Sequence, residues 1–499
     1  KMISPLLFGI LSTLFIYDIF YFINGRPKNF PPGPIRIPFF GSYLFLIFKT
    51  LKDVPIELAE WSKKYKSNVT SLFLGPYKNI ILHDYQTIQI LTRNEFDGRP
   101  DGFIIKLRAF GKRLGIFFTD GDFWLEQRRF ALRHMRDFGF GRRSEKLENI
   151  IEFEMKEMIK HIENNHYMFK APHFFAPGFV NLLVSILTGA TLDQNQRNYL
   201  EEIGFHSLLF QKNASPLGGF IGIFPWVRFF APNVSGYHGS KNGNDKLIEF
   251  VQDLIENRKK LRHKEETEGF IDVYLQELEN REKANKSSFT PEQLILTCVD
   301  FLLPTSSCVE MSLSLLIQRL IHHPDVQDKM FDEIKSVVGT GRLPTLNDRP
   351  SLLYCEATLR EGMRIDTPIN LGVGRETTTN INVQGYDIPK GTLVFANLWQ
   401  MHHDEILWKD PFAFRPERFL TDDGKRLCKD MTLPFGLGRR VCAGETFARN
   451  GMFMFLVGLV QNFKFTVPPG ALLPDLSDRA NSALLTNCQE FIVQCEPRI

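Results

Sequence analysis

The stretch Phe435-Gly436-Leu437-Gly438-Arg439-Arg440-Val441-Cys442-Ala443-Gly444-Glu445 decides the reading of this 499-residue chain. One cysteine follows a loop with two glycines and two arginines, and an apolar, helix-like run from Phe453 to Val460 comes after it. Glycines at 436 and 438 permit backbone angles and close approaches that a Cβ would forbid. Arginines beside the cysteine favour its thiolate, the form that binds metal. A thiolate near a helix N-terminus, with N–H groups aimed at its sulfur, suits the fifth coordination position of haem iron. Taken alone, Gly-x-Gly-x-x-x-Cys reads better as a Gly-rich turn ahead of a buried structural cysteine. The rest of the chain has to decide.

Composition narrows the class. The formal charge of +3 is too small to imply a nucleic-acid partner, and no basic cluster is interleaved with aromatics. The composition is ordinary for a globular protein apart from 46 phenylalanines. Seven cysteines, an odd number without a Cys-x-x-Cys pair, argue against a disulfide framework or a zinc site and for a reducing compartment. No linker composition divides the chain into domains.

Residues 2 to 23 are almost wholly apolar, with Asp18 the one charge, and about 20 such residues cross a bilayer. Arg26 and Lys28 follow, so that side of the span is expected to face the cytosol. A cleavable signal peptide is the alternative, but no small-residue cleavage site follows the apolar run. Phe30-Pro31-Pro32-Gly33-Pro34 then forms a stiff, non-helical spacer. The expected organisation is an anchor over 1–24, a Pro-rich hinge over 25–38 and a globular body over 39–499.

Within the body, Ser71-Leu72-Phe73-Leu74 and Asn79-Ile80-Ile81-Leu82 flank Gly75-Pro76, a turn signal between two strand-like runs. Trp124 and Arg128 are i, i+4 and share one helical face. Residues 145 to 290 read as successive amphipathic helices, for example 145–164 and 243–282. An aromatic loop over 220–232 interrupts them and reads as ordinary core beneath a long loop. A long helix is expected from Pro291, a good first-turn residue, to His323, where Pro324 stops it. Glu361 and Arg364 are i, i+3 on a further helix. Pro368 to Val373 and the stretches around Arg375 and Ile388 read as strands, and 463–495 as a turn followed by a hairpin.

The full pattern Phe-x-x-Gly-x-Arg-x-Cys-x-Gly, placed near the C-terminus, resembles the haem-binding signature of the cytochrome P450 superfamily. The resemblance runs along nearly the whole chain: apolar anchor, proline hinge, Trp124-x-x-x-Arg128, Glu361-x-x-Arg364, Pro416-Glu417-Arg418-Phe419 and the cysteine loop, all in order. It is nearest to the eukaryotic microsomal branch and has an insect-like cast. It implies a mainly α fold with small β-sheets, a single triangular domain, and haem b between the cysteine loop and the long helix. For the aromatic loop over 220–232 the resemblance suggests a substrate-access lid that dips into the membrane. Cys442 would be the axial ligand of the iron. Arg99, Trp124, Arg128, Arg375 and Arg440 would hold the haem propionates, and Glu361, Arg364 and Arg418 would form a scaffold triad rather than a catalytic one.

The long helix departs from the family. There the oxygen side carries an acid followed by an alcohol that relay protons; here the same register holds Pro304-Thr305-Ser306-Ser307-Cys308. Ser307 replaces the acid, Cys308 replaces the alcohol, and Glu310 lies three positions too late. Thr305, Ser306, Ser307 and Cys308 are the candidate oxygen-side residues, the hydroxyls being able to hold a water chain. The resemblance implies a monooxygenase that hydroxylates or epoxidises a lipophilic substrate such as a steroid, fatty acid, terpenoid or xenobiotic. Electrons would come from a flavoprotein NADPH reductase, with cytochrome b5 a further candidate partner. The enzyme would sit on the endoplasmic reticulum membrane with its body in the cytosol. A haem-thiolate isomerase or lyase acting on a lipid peroxide is the alternative, and a haem carrier or sensor without turnover a third.

Overall fold

The structure, a computed structural model, describes residues 3–24, 26–47, 54–192, 197–214, 220–261, 267–281, 288–477, 479–480 and 485–498. The chain divides into two compact units, each assembled from separated stretches. One comprises Lys1–Pro100, Ile369–Asp404 and Gly436–Val441; the other comprises Asp101–Pro368, Glu405–Phe435 and Cys442–Ile499. The chain passes from one unit to the other at points that no linker composition marks.

The first unit begins with the helix Ile3–Asn24. Its sheet has four strands in the order Val69–Leu74, Tyr77–Leu82, Leu393–Ala396, Arg375–Glu376. The first two pair antiparallel about Gly75-Pro76, and Tyr77–Leu82 then pairs parallel with Leu393–Ala396. Every residue of Val69–Leu74 is buried, as befits a strand covered on both faces. The Pro-rich stretch is non-helical, but it is tied to this strand rather than spanning free. Ser71 N–H donates to Pro32 O at 2.7 Å, and Ser71 Oγ donates to Pro31 O at 2.6 Å. Gly33 is required there, because a Cβ would stand 1.9 Å from Ser71 O.

Two of the expected strands come out differently. Pro368 to Val373 forms turns, with Gly372 at φ +59 and its N–H donating to Ile369 O. The Ile388 strand stops ahead of Pro389, which has no N–H to give a ladder. Tyr386–Ile388 pairs with Ile381–Val383 about Gln384-Gly385, both at positive φ, the signature of a tight hairpin turn.

The second unit is helical around Pro291–His322. Thr290 caps this helix by accepting from Gln293 N–H at 3.1 Å, and Pro291 fills the first turn, where its missing N–H costs nothing. Among the described residues it is the one helix long and apolar enough to cross a membrane, but 78% of its most apolar window is buried. It is a core helix, packed on Ala176–Thr188, Arg197–Ala214 and Tyr237–Leu261. The helix runs unbroken through Pro304. A proline there leaves a carbonyl of the preceding turn without its helical N–H. Hydroxyls serve carbonyls nearby: Ser306 Oγ donates to Leu302 O at 3.0 Å and Ser307 Oγ to Leu303 O at 2.6 Å.

The amphipathic stretch expected over 243–282 is two helices, Tyr237–Leu261 and Phe270–Arg281, with residues 262–266 outside the description. Gly269 precedes the second helix because it lies against the helix Ala176–Thr188; a Cβ there would stand 2.5 Å from Leu187 O. The aromatic loop is not core: Trp226, Phe229 and Phe230 are 59, 71 and 82% exposed, while Ile221 and Ile223 turn inward. At the C-terminus, Asn487–Cys488 pairs with Arg479–Ala480 as a short hairpin. Phe491–Pro497 lies between Met168–Ala171 and Phe463–Thr466 in a three-stranded sheet that the sequence reading lacks.

Candidate active site

Cys442 opens the N-terminal approach to the helix Glu445–Asn462. Its own N–H donates to Phe435 O at 2.9 Å, which closes the loop that carries it. Gly436 and Gly438 take φ of +72 and +70, conformations that side-chain-bearing residues rarely adopt. At Gly438 a Cβ would also come within 2.9 Å of Leu91 O. Solvent reaches Cys442, yet the protein crowding it pushes the thiol pKa up; the Gly444 N–H and the Arg128 guanidinium pull it down. No disulfide forms among the described residues.

Trp124 and Arg128 sit on the helix Gly121–Asp137, with the guanidinium carbon 5.7 Å from the indole centroid. Trp124 is buried, and burial lowers the Arg128 pKa while the Cys442 charge raises it. Cys308 also lies within electrostatic reach of Cys442, and burial pushes the Cys308 thiol up to about 12. The second unit therefore brings together Cys442, Arg128 and Cys308 from three separate parts of the chain.

Ser306 and Ser307 are fully buried and bonded to the helix Arg197–Ala214. Ser306 Oγ donates to Ser207 Oγ at 2.6 Å, and Gln211 Nε2 donates to Ser307 Oγ at 2.6 Å. Glu310, out of register in the sequence, accepts from the N–H groups of His173, Phe175 and Ala176 at 2.6–2.7 Å and so caps the helix Ala176–Thr188. A carboxylate at a helix N-terminus is favourably placed for structure, not for proton delivery.

The first unit gathers its own cationic cluster. Arg375 donates to Leu437 O at 2.6 Å and to Leu91 O at 2.5 Å. Arg440 donates to Asp97 O through Nε at 2.8 Å and Nη2 at 2.6 Å. Arg99 Nη1 donates to Gly374 O at 2.7 Å. All three guanidiniums are buried, and burial lowers the Arg375 pKa to about 10. Asp97 faces this cluster: burial raises its pKa while Arg439, Arg440 and Arg375 lower it, and Arg439 lies 2.9 Å from its carboxylate. Asp97 and Arg439 were not picked out from the sequence, where the only signal was their place beside Arg99 and Arg440.

In the second unit Glu361 receives Arg364 at 2.6 and 2.8 Å and Arg418 at 3.0 Å. Glu361 and Arg364 are 0% exposed. Arg418 further donates to the carbonyls of Trp408, Asp410 and Ala413, which ties down the segment leading to the cysteine loop.

A soft sulfur donor with a cation in its field, in the second unit, and buried guanidiniums, in the first, are each donor types that suit an iron porphyrin with two carboxylates. That donor set, on a mainly helical scaffold, marks a haem-thiolate protein. The chain belongs to the cytochrome P450 family, whose model matches residues 31–494. It is 33% identical to a probable cytochrome P450 305a1 of Drosophila melanogaster over 95% of this chain and 97% of that one. It is 30% identical to a farnesoate epoxidase of Bombyx mori over 98% of each, and 34% identical to cytochrome P450 2J1 of Oryctolagus cuniculus over 92% of this chain and 90% of that one. The protein is therefore a P450 monooxygenase, of a family that uses haem ligated by a cysteine thiolate and takes electrons from NADPH through a reductase. The isomerase or lyase alternative draws no support from these relatives.

Proposed function

We propose that this chain is a membrane-attached monooxygenase that hydroxylates or epoxidises a lipophilic substrate of the terpenoid or fatty-acid kind, with Cys442 as the axial ligand. The observation that carries the assignment is Cys442 itself: a thiol just ahead of a helix, where a Gly444 N–H and the Arg128 charge favour the thiolate against the burial that raises its pKa. Haem held by the Cys442 thiolate would supply the iron for dioxygen activation, with the thiolate lending it electron density. The chain's residues do the rest. Arg128, with Trp124 beside it, in the second unit, and Arg99, Arg375 and Arg440 in the first, are the residues that would hold the propionates. Thr305 and Cys308 stand on the oxygen side, whereas the Ser306 and Ser307 hydroxyls hold the helix Arg197–Ala214 in place. The apolar character of the substrate is supported by the name of the Bombyx relative, an epoxidase of farnesoate.

Electrons reach the site from a flavoprotein NADPH reductase, with cytochrome b5 as a further partner. The protein lies on the endoplasmic reticulum membrane with its body in the cytosol. Two features support the attachment: the helix Ile3–Asn24, where Ile10, Leu14, Phe15 and Ile16 are 49–67% exposed, and the outward-turned Trp226, Phe229 and Phe230. Cys442→Ala is expected to abolish the carbon-monoxide difference band characteristic of thiolate-ligated haem. Survival of that band in the variant would overturn the ligand assignment.

A further inference from the structure

Three buried polar side chains of the second unit leave hydrogen-bonding atoms unused. Arg108 is 1% exposed, Asn244 2% and Ser240 0%. Among the described residues, Arg108 Nε and Nη1, Asn244 Oδ1 and Ser240 Oγ make no hydrogen bond. Buried polar atoms are nearly always paired, because leaving them dry forfeits their hydration without return. Several such atoms within one neighbourhood point to a polar group that meets them.

The neighbourhood is held rigidly. Arg108 Nη2 donates to Asp300 Oδ1 at 2.5 Å, and the N–H groups of Ile116 and Phe117 donate to Asp300 Oδ2 at 2.6 and 2.9 Å. The Asp300 carboxylate is thus met by a guanidinium and two amides. Its charge is offset more than once, and Arg108 keeps three N–H groups on Nε and Nη1. Phe118 lies under the guanidinium at 5.4 Å and fixes its plane. Asn244 Nδ2 donates to Arg108 O at 3.1 Å, so its amide is already oriented and Oδ1 remains as acceptor. Ser240 is one turn earlier on the same helix and the same face.

A salt bridge serving structure alone would account for Nη2 and would leave the other groups unexplained. The unpaired donors among the described residues are the Arg108 N–H groups and the Ser240 hydroxyl. They match an oxygen-rich head group, and a carboxylate is the strongest acceptor for a guanidinium. Asn244, whose free atom is an acceptor, serves by holding the Arg108 backbone through Nδ2. Along the long helix, Asp300 precedes Cys308 by about 12 Å at the helical rise. That span equals a medium-length hydrocarbon chain.

We propose that Arg108 and Ser240 form a head-group subsite for the carboxylate of an otherwise apolar substrate, with Asn244 holding the Arg108 backbone in place. The proposal rests on the monooxygenase reading above and narrows its substrate class to lipophilic acids, held by the head and oxidised along the tail.

The test uses the purified full-length holoenzyme, titrated calorimetrically with dodecanoate and with dodecan-1-ol. The wild type is expected to bind dodecanoate about tenfold tighter than the alcohol. Arg108→Gln should bring the two ligands level. Ser240→Ala leaves the Arg108–Asp300 pair intact and should weaken dodecanoate by about threefold or more. Equal binding of the two ligands by the wild type, or binding of neither, overturns the subsite. So does an Arg108→Gln enzyme that retains the carbon-monoxide band and the preference for the acid. Calorimetry does not depend on the iron ligand. A wild-type enzyme that shows the band and has no acid preference therefore sinks the subsite alone, whereas absence of that band from the wild type sinks the monooxygenase reading.

Discussion

At His83 the imidazole lies between Thr70 Oγ1 at 2.7 Å and Gln400 Oε1 at 2.6 Å, and burial pushes its pKa from 6.5 down to about 4. The unfolded chain takes up the proton first. Stability contributed by neutral His83 is present above pH 6.5 and is lost as pH falls towards 4, by about 3 kcal/mol at most. His83→Gln should remove this part of the acid sensitivity. Urea unfolding of both proteins between pH 7 and 4.5 should show the variant gaining on the wild type as pH falls; parallel curves would refute the assignment. The same scale shows what composition could not reveal. Ser306 and Ser307 read as a hydroxyl run open to water, and they are bonded instead to Ser207 and Gln211 from a helix about a hundred residues away. Cys442 was legible because its neighbours in sequence are also its neighbours in function.

Among the elements, the helix Pro291–His322 was legible from end to end, since cap, first-turn proline and terminating proline are all local signals. The helix pair Tyr237–Leu261 and Phe270–Arg281 was not, because its division depends on Gly269 meeting the backbone of another helix. The strand Met168–Ala171 has its partner at Phe491–Pro497, and no local pattern announces a pairing over such a separation. The Glu361 cluster shows how one side chain serves several elements: it accepts from Arg364, Arg418 and the Arg415 N–H at 2.8 Å. Glu361→Gln should leave two buried cations short of their anion and cost about 3–5 kcal/mol. Chemical denaturation followed through haem absorbance measures it, and a loss under about 1 kcal/mol would mean that the cluster is not the buried ion network described.

For the whole molecule, the proposed membrane attachment is the reading that draws on the most distant parts. The helix Ile3–Asn24 and the loop holding Trp226, Phe229 and Phe230 each present apolar surface to the outside. Removal of residues 1–24 should leave partial binding to phosphatidylcholine vesicles in a sedimentation assay. Adding Trp226→Ser, Phe229→Ser and Phe230→Ser should abolish the remainder. Complete release by the truncation alone would show that the loop stays in water.

By itself the sequence determined the family, the haem ligand as a candidate, the caps and ends of the long helices, and the apolar run at the N-terminus. Each of these is written in residues close together along the chain, where propensity, capping and spacing act directly. The tertiary structure alone decided that Ser306 and Ser307 brace a neighbouring helix, that Glu310 caps another, and that the aromatic loop faces outward. It alone showed that Arg108, Ser240 and Asn244 are buried with side-chain atoms that make no hydrogen bond among the described residues. Those facts depend on which surfaces meet when remote segments bury their apolar faces, and burial of apolar area is non-directional. The polar groups carried inward with those faces find their partners only once the packing is complete.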